Sequence, residues 1–211
     1  MNDQWRTMLW LGVAVGILFT IGCEQESRNQ AASTQQSPAK DKTEISETIS
    51  GTSLIDAALD GNIKQVRLAL ENGVDVNASN DKGSTALMSA GFNGHKEIVG
   101  LLLDRGASVD SQDVFGRTAL MYSASGPFPE TVRILLENGA DPNIIDKSEK
   151  FTALMFAAAE GQAEVVGMLL SHGASYENTD ADGETALDFA RSNGHSEVVQ
   201  LLDNTERDLN R

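Results

Sequence analysis

Three kinds of residue in this chain have chemistry beyond packing: a single cysteine, three histidines and a short run of alternating acids. Cys23 is the only thiol, so no intramolecular disulfide can form and the fold must hold by packing alone. It stands where an apolar run ends and a polar one begins, in ILFTIGCEQES. His95 and His195 each follow a glycine in the same phrase, Gly-His-x-Glu, and His172 lies beside Gly173. A catalytic centre needs a nucleophile, a base and stabilising donors converging on one pocket. These histidines instead recur with the phrasing of the chain, and no seven-residue run of serine or aspartate lies near them. Asn178, Asp180, Asp182 and Gly183 match the opening of a calcium loop, whose ligands alternate before a sharp glycine turn. The closing glutamate would fall at position 189, which is Phe189. With no phosphate-binding glycine loop and no zinc spacing either, the sequence calls for no metal, no cofactor and no catalytic residue.

The cysteine takes its meaning from what precedes it. Met8 to Gly22 reads MLWLGVAVGILFTIG, uncharged, with Arg6 before it and Glu24 after Cys23. At about 1.5 Å per residue the segment is short for a ~30 Å hydrocarbon core and fits the apolar region of a signal peptide. An uncleaved anchor and a simple cleaved signal are the other readings. Phe19-Thr20-Ile21-Gly22-Cys23 resembles the lipobox of bacterial lipoprotein signal peptides, with Thr20 where leucine is usual and Asp3 in a sparse basic region. That resemblance implies a signal peptide over 1–22 and lipidation of Cys23 as the mature amino terminus. It also implies a membrane attachment through lipid on Cys23 in the bacterial cell envelope, facing the periplasm. Several acyl chains together make such an anchor stable where one alone is marginal. Glu24, in place of the aspartate that favours inner-membrane retention, gives the outer membrane preference over the inner.

Residues 24–50 are rich in Gln, Ser, Thr and charge and nearly free of large apolar side chains. Such a segment buries too little surface to offset its ordering entropy, so 23–50 is expected to be a lipidated, disordered tether with a reach of about 30 Å. Of the 211 residues, 31 are acidic and 16 basic, a balance of −15 that disfavours nucleic acid as a partner. Only 5% are aromatic, which suits a repeat architecture built from small and aliphatic residues.

A repeat is present. TSLIDAALDG begins at Thr52, TALMSAGFNG at Thr85, TALMYSASGP at Thr118, TALMFAAAEG at Thr152 and TALDFARSNG at Thr185, spaced by 33, 33, 34 and 33 residues. Each of the five units is expected to form two short antiparallel helices and a loop. The threonine caps the first helix. Glu97, Glu130, Glu164 or Glu197 opens the second, where it complements the positive end of the helix dipole. Gly73, Gly106, Gly139 and Gly173 end it in the left-handed conformation. Apolar positions such as Val99, Leu102 and Leu103 recur at helical spacing, and Ala57, Ala90, Ala124 and Ala157 allow close approach between units.

Period, Thr-Ala-Leu, Gly-His-x-Glu and the Gly-Ala-Asp at 139–141 together resemble the ankyrin repeat, over Gly51 to about Asn204. The resemblance implies an all-α solenoid of helix-turn-helix units with short hairpin loops projecting from one edge. Its usual threonine–histidine hydrogen bond is expected to be absent, because Ile55, Met88, Met121, Met155 and Asp188 take the histidine's place. Asp203, in a leucine column, reads as the water-facing end of the stack. The domains are then 1–22, 23–50, 51–204 and a polar tail at 205–211.

Two units depart from the pattern. The third has SGPFPET between its helices, where Pro129 can start the second helix or Phe128 can be presented on a stiffened turn. The fourth carries one extra residue in DKSEKF, with Lys150 where other units have Gly83, Gly116 and Gly183. Hairpin tips and the ends of first helices are where ankyrin proteins meet partners. The variable positions there are Asp81, Lys82, Ser84, Phe92, Val114, Phe115, Arg117, Ser148, Glu149, Phe151, Glu160, Asp182 and Glu184, with the three phenylalanines expected on solvent-facing columns. A monomeric protein-binding module without catalysis follows, its partner another protein of unspecified identity. The alternative is a small-ligand-binding protein or enzyme using the concave groove.

Overall fold

The computed structural model describes residues 51–209, apart from the side chains of residues 52, 208 and 209; the expected signal peptide, Cys23 and the tether lie outside the described residues. Ten helices follow in pairs: α1 (Gly51–Leu59) and α2 (Ile63–Glu71), α3 (Ala86–Phe92) and α4 (Lys96–Asp104), α5 (Ala119–Ala124) and α6 (Pro129–Glu137), α7 (Ala153–Ala159) and α8 (Ala163–Ser171), α9 (Ala186–Asn193) and α10 (Ser196–Leu209). Thr85, Thr118, Thr152 and Thr185 sit extended before their helices, and each Oγ1 accepts a 3.3 Å hydrogen bond from the amide three residues on. Such a cap is worth about 1 kcal/mol. Helix α1 begins already at Gly51, so residue 52 lies inside its helix where the other four threonines precede theirs. The expected threonine partner is also not lost everywhere. Asp188 restores it, its carboxylate accepting from the Thr185 hydroxyl at 2.6 Å and the Thr185 amide at 2.9 Å.

First helices pack on first helices, and second on second, along the array, giving two layers. Leu54, Leu87, Leu120 and Leu154 from one layer and Val66, Val99, Val132 and Val166 from the other are buried between them. Small residues set the spacing: a Cβ on Gly91 would lie 2.7 Å from Ser123 Oγ. In the last unit that small-residue column holds Arg191 and the leucine column holds Asp203, and the two pair at 2.9 Å. Helix α10 runs to Leu209, past the boundary expected at Asn204.

The turns between helices lock one unit to the next. Asn93 Nδ2 and His95 Nε2 both donate to the Leu59 carbonyl, at 2.8 and 3.0 Å; Asn193 and His195 do the same to Ala159, both at 2.9 Å. Each imidazole lies against a glycine of the preceding unit, Gly61 or Gly161, where a Cβ would fall within 2.7 Å of the ring. In the third unit Phe128 takes the histidine's place and covers Gly94, which leaves no room for a Cβ there. Pro129 is the first residue of α6. The turn is therefore structural, and Phe128 is not held out for a partner.

Candidate partner-binding edge

Each hairpin tip is built on one side chain. Asn80 Oδ1 accepts from the amides of Lys82 (2.9 Å) and Ser84 (3.1 Å). Asp113 accepts from Phe115 and Arg117, both at 2.9 Å, and Asp180 from Asp182 (2.9 Å) and Glu184 (2.8 Å). Asp146 keeps the clamp across the insertion by accepting from Glu149 (3.0 Å) and Phe151 (3.2 Å), one residue later in each case. The extra residue thus enlarges the turn without breaking it. Lys150 supplies the left-handed conformation, φ 61°, that glycine supplies in the other tips.

The tips are joined edge to edge. The Lys82 carbonyl accepts from the Val114 amide (3.0 Å), the Phe115 carbonyl from Lys147 (2.7 Å), and the Glu149 carbonyl from Ala181 (2.8 Å). Gly83 and Gly116 permit this approach, since a Cβ on either would press on the backbone of the next tip. Four tips therefore form one continuous row of backbone.

Behind the third and fourth tips lies a polar and aromatic cluster. Asp146, 1% exposed, accepts from Arg117 Nε at 3.5 Å and from the Ser148 hydroxyl at 3.1 Å. The Arg117 guanidinium stacks 5.8 Å from the Phe115 ring and 5.5 Å from Phe156. Asp113, also buried, accepts a 2.6 Å bond from the Tyr122 hydroxyl. Burial first, and then that bond and the charge of Asp113, hold the Tyr122 phenol above the ordinary tyrosine range. At the fifth tip, burial followed by the charges of Asp180, Asp188 and Asp182 raises Glu184. The Thr185 hydroxyl lowers Asp188.

The family model for ankyrin repeats, described as three copies, matches residues 54–146 and 128–211, well over half of the chain. The chain belongs to the ankyrin-repeat family. Its likeness to individual proteins is local. It is 40% identical over 62 residues to the ARF GTPase-activating protein Git of Drosophila melanogaster, covering 29% of this chain and 8% of that protein. It is 48% identical over 52 residues to the probable E3 ubiquitin-protein ligase XBOS34 of Oryza sativa subsp. japonica, covering 25% and 10%. The chain spans a tenth or less of these relatives, and the activities in their names belong to them. An ankyrin array is a protein–protein interaction module, generally a scaffold without catalysis.

On this ankyrin array the candidate residues separate into groups. Asp81, Lys82, Asp182, Ser148 and Glu160 are exposed, and Ser84, Glu149 and Glu184 are half-buried. Val114 and Phe115 are 53% and 49% exposed at the third tip. Arg117 is half-buried and already bound to Asp146. Phe92 is half-buried edge-on to Tyr122, with ring centres 6.1 Å apart, so it does not stand free as expected. Phe151 is a clear correction: 7% exposed, it packs edge-on against Phe156 (5.5 Å) and Phe189 (5.2 Å) and belongs to the core. Asp180 directs Oδ1 at its own hairpin amides, which explains the acidic string that resembles a calcium loop. Sequence reasoning missed Lys147 as a member of the row, and Asp113, Asp146 and Tyr122 as its support. One signal was available: Tyr122 shares a first-helix column with Phe156 and Phe189, three aromatics in a chain with few.

Proposed function

We propose that this chain is a lipid-anchored protein-binding module of a bacterial cell envelope, which holds its partner along the row of hairpin tips. The observation that carries the binding surface is the exposure of Val114 and Phe115 together on a tip hydrogen-bonded to both neighbours. An apolar pair on a backbone fixed from two sides binds with little loss of conformational freedom, and aromatic anchors of this kind dominate interface energetics. Lipid on Cys23 anchors the chain to a membrane facing the periplasm, the outer membrane in preference to the inner. The tether over 24–50 carries the array, acting as a monomer, clear of the headgroups. These parts rest on the apolar run before Cys23, its fit to the lipobox, and the glutamate that follows.

Two measurements test this reading. Cys23→Ser should move the protein from the membrane to the soluble fraction; a variant that stays in the membrane with its amino-terminal segment intact would establish an uncleaved anchor instead. Phe115→Ala should leave the circular dichroism unchanged and weaken quantitative capture of the partner from envelope extracts about tenfold, corresponding to 1.4 kcal/mol. Unaltered capture would move the contact surface elsewhere.

A further inference from the structure

The row of tips is not uniform in charge. Its second-unit and fourth-unit tips expose Lys82, Lys147 and Lys150 on either side of Val114 and Phe115. The acids among them are Asp81, exposed, and Glu149, half-buried, while Asp113 and Asp146 are buried beneath the row. The fifth tip carries only acids: Asp182 exposed, Glu184 half-buried and Asp180 buried, with Asp188 behind them. Arg191, the nearest cation along α9, is held by Asp203. The backbone bonds fix the order as Lys82, Val114–Phe115, Lys147 and then Glu149 to Ala181. In a molecule whose formal charge is −15, the second-, third- and fourth-unit tips are a local exception and the fifth-unit tip is not.

We propose that the row binds an extended polypeptide segment of divided charge, with an apolar side chain flanked by carboxylates over the tips that carry Lys82, Phe115 and Lys147, and lysine or arginine over the tip that carries Asp182 and Glu184. This rests on the reading of the row as the binding edge and adds the chemistry of its partner. The apolar side chain seats against Val114 and Phe115, while the charges select the segment and its placement, the part that rim electrostatics play at interfaces. At the roughly 8–10 Å between packed helices, the three unit-to-unit steps from Lys82 to Ala181 cover roughly 25–30 Å, the length of about eight extended residues. A cation over the fifth tip also relieves the crowding of carboxylates around Glu184.

The test uses the purified full chain and labelled dodecapeptides. One peptide has a leucine between glutamates in one half and lysines in the other; two more carry only the acidic or only the basic half, and a fourth has the leucine among neutral residues. Lys82→Glu with Lys147→Glu should weaken the divided peptide about tenfold, and Asp182→Lys with Glu184→Lys about as much, with both effects fading at ~1 M salt. The acidic half-peptide should respond only to the first pair of changes and the basic half-peptide only to the second, so each serves as a check that the other variant is folded. Equal binding of the neutral peptide, or indifference of the divided peptide to both pairs, overturns the proposal. If Phe115→Ala still weakens partner capture about tenfold in that case, the binding edge stands and only its polarity is wrong. If Phe115→Ala is also without effect, the edge itself fails.

Discussion

Lys150 is the one described residue other than glycine with positive φ, and it holds the enlarged fourth tip in a conformation that costs an L-residue roughly 1–2 kcal/mol. Lys150→Gly removes that cost but adds about 0.5–1 kcal/mol of chain entropy lost on folding. The net gain should lie between about 0 and 1.5 kcal/mol, a rise of up to about 6 °C in the melting temperature. A lower melting temperature would mean that the lysine side chain holds the tip through contacts of its own. Tyr122 gives a second residue-level outcome. Its pKa is raised in the fold above the ordinary 10.0, chiefly by burial and then by its bond to Asp113. Above pH 10 an unfolded chain releases that proton while the folded one retains it, so this contribution to stability is complete below pH 10 and declines as pH rises beyond it. The stability difference between parent and Tyr122→Phe, read from urea titrations, should therefore narrow above pH 10. A constant difference would contradict the buried hydrogen-bonded phenol.

At the scale of helices and hairpins, the reliable signals in the sequence were those that recur from unit to unit. Period, threonine caps, acidic openings of the second helices and the Gly-His pair all depend on contacts within a unit or with its immediate neighbour, and they recur where the same contact recurs. Departures from the repeat were harder to read, because they depend on what a neighbouring unit offers. Phe151 occupies the column of Ser84, Arg117 and Glu184, all partly exposed, yet it is buried because Phe156 and Phe189 provide ring edges on either side. Phe128 likewise acts as a substitute histidine only because Gly94 leaves space for a ring. Phe151 and Phe115 should thus behave as opposites. Phe151→Ala should cost about 3–5 kcal/mol, whereas Phe115→Ala should shift the thermal melt little. Equal melts for the two variants would contradict this division between core and edge.

Across the described repeats, the packed core and the proposed binding edge use different parts of each unit. Aliphatic residues between the two helix layers hold the stack, and the hairpins, held by Asn80, Asp113, Asp146 and Asp180, form an edge whose side chains are free to vary from unit to unit. Because backbone bonds join the tips, the proposed binding edge is a single surface. The most direct measurement places a photo-crosslinking amino acid at Phe115 on the edge and, in a separate variant, at Arg133 in the layer of second helices, followed by irradiation of intact source cells. The expected result is a discrete, partner-sized adduct from position 115 and none from position 133. No adduct from position 115, or the same adduct from both, would contradict a partner held along the row of hairpin tips.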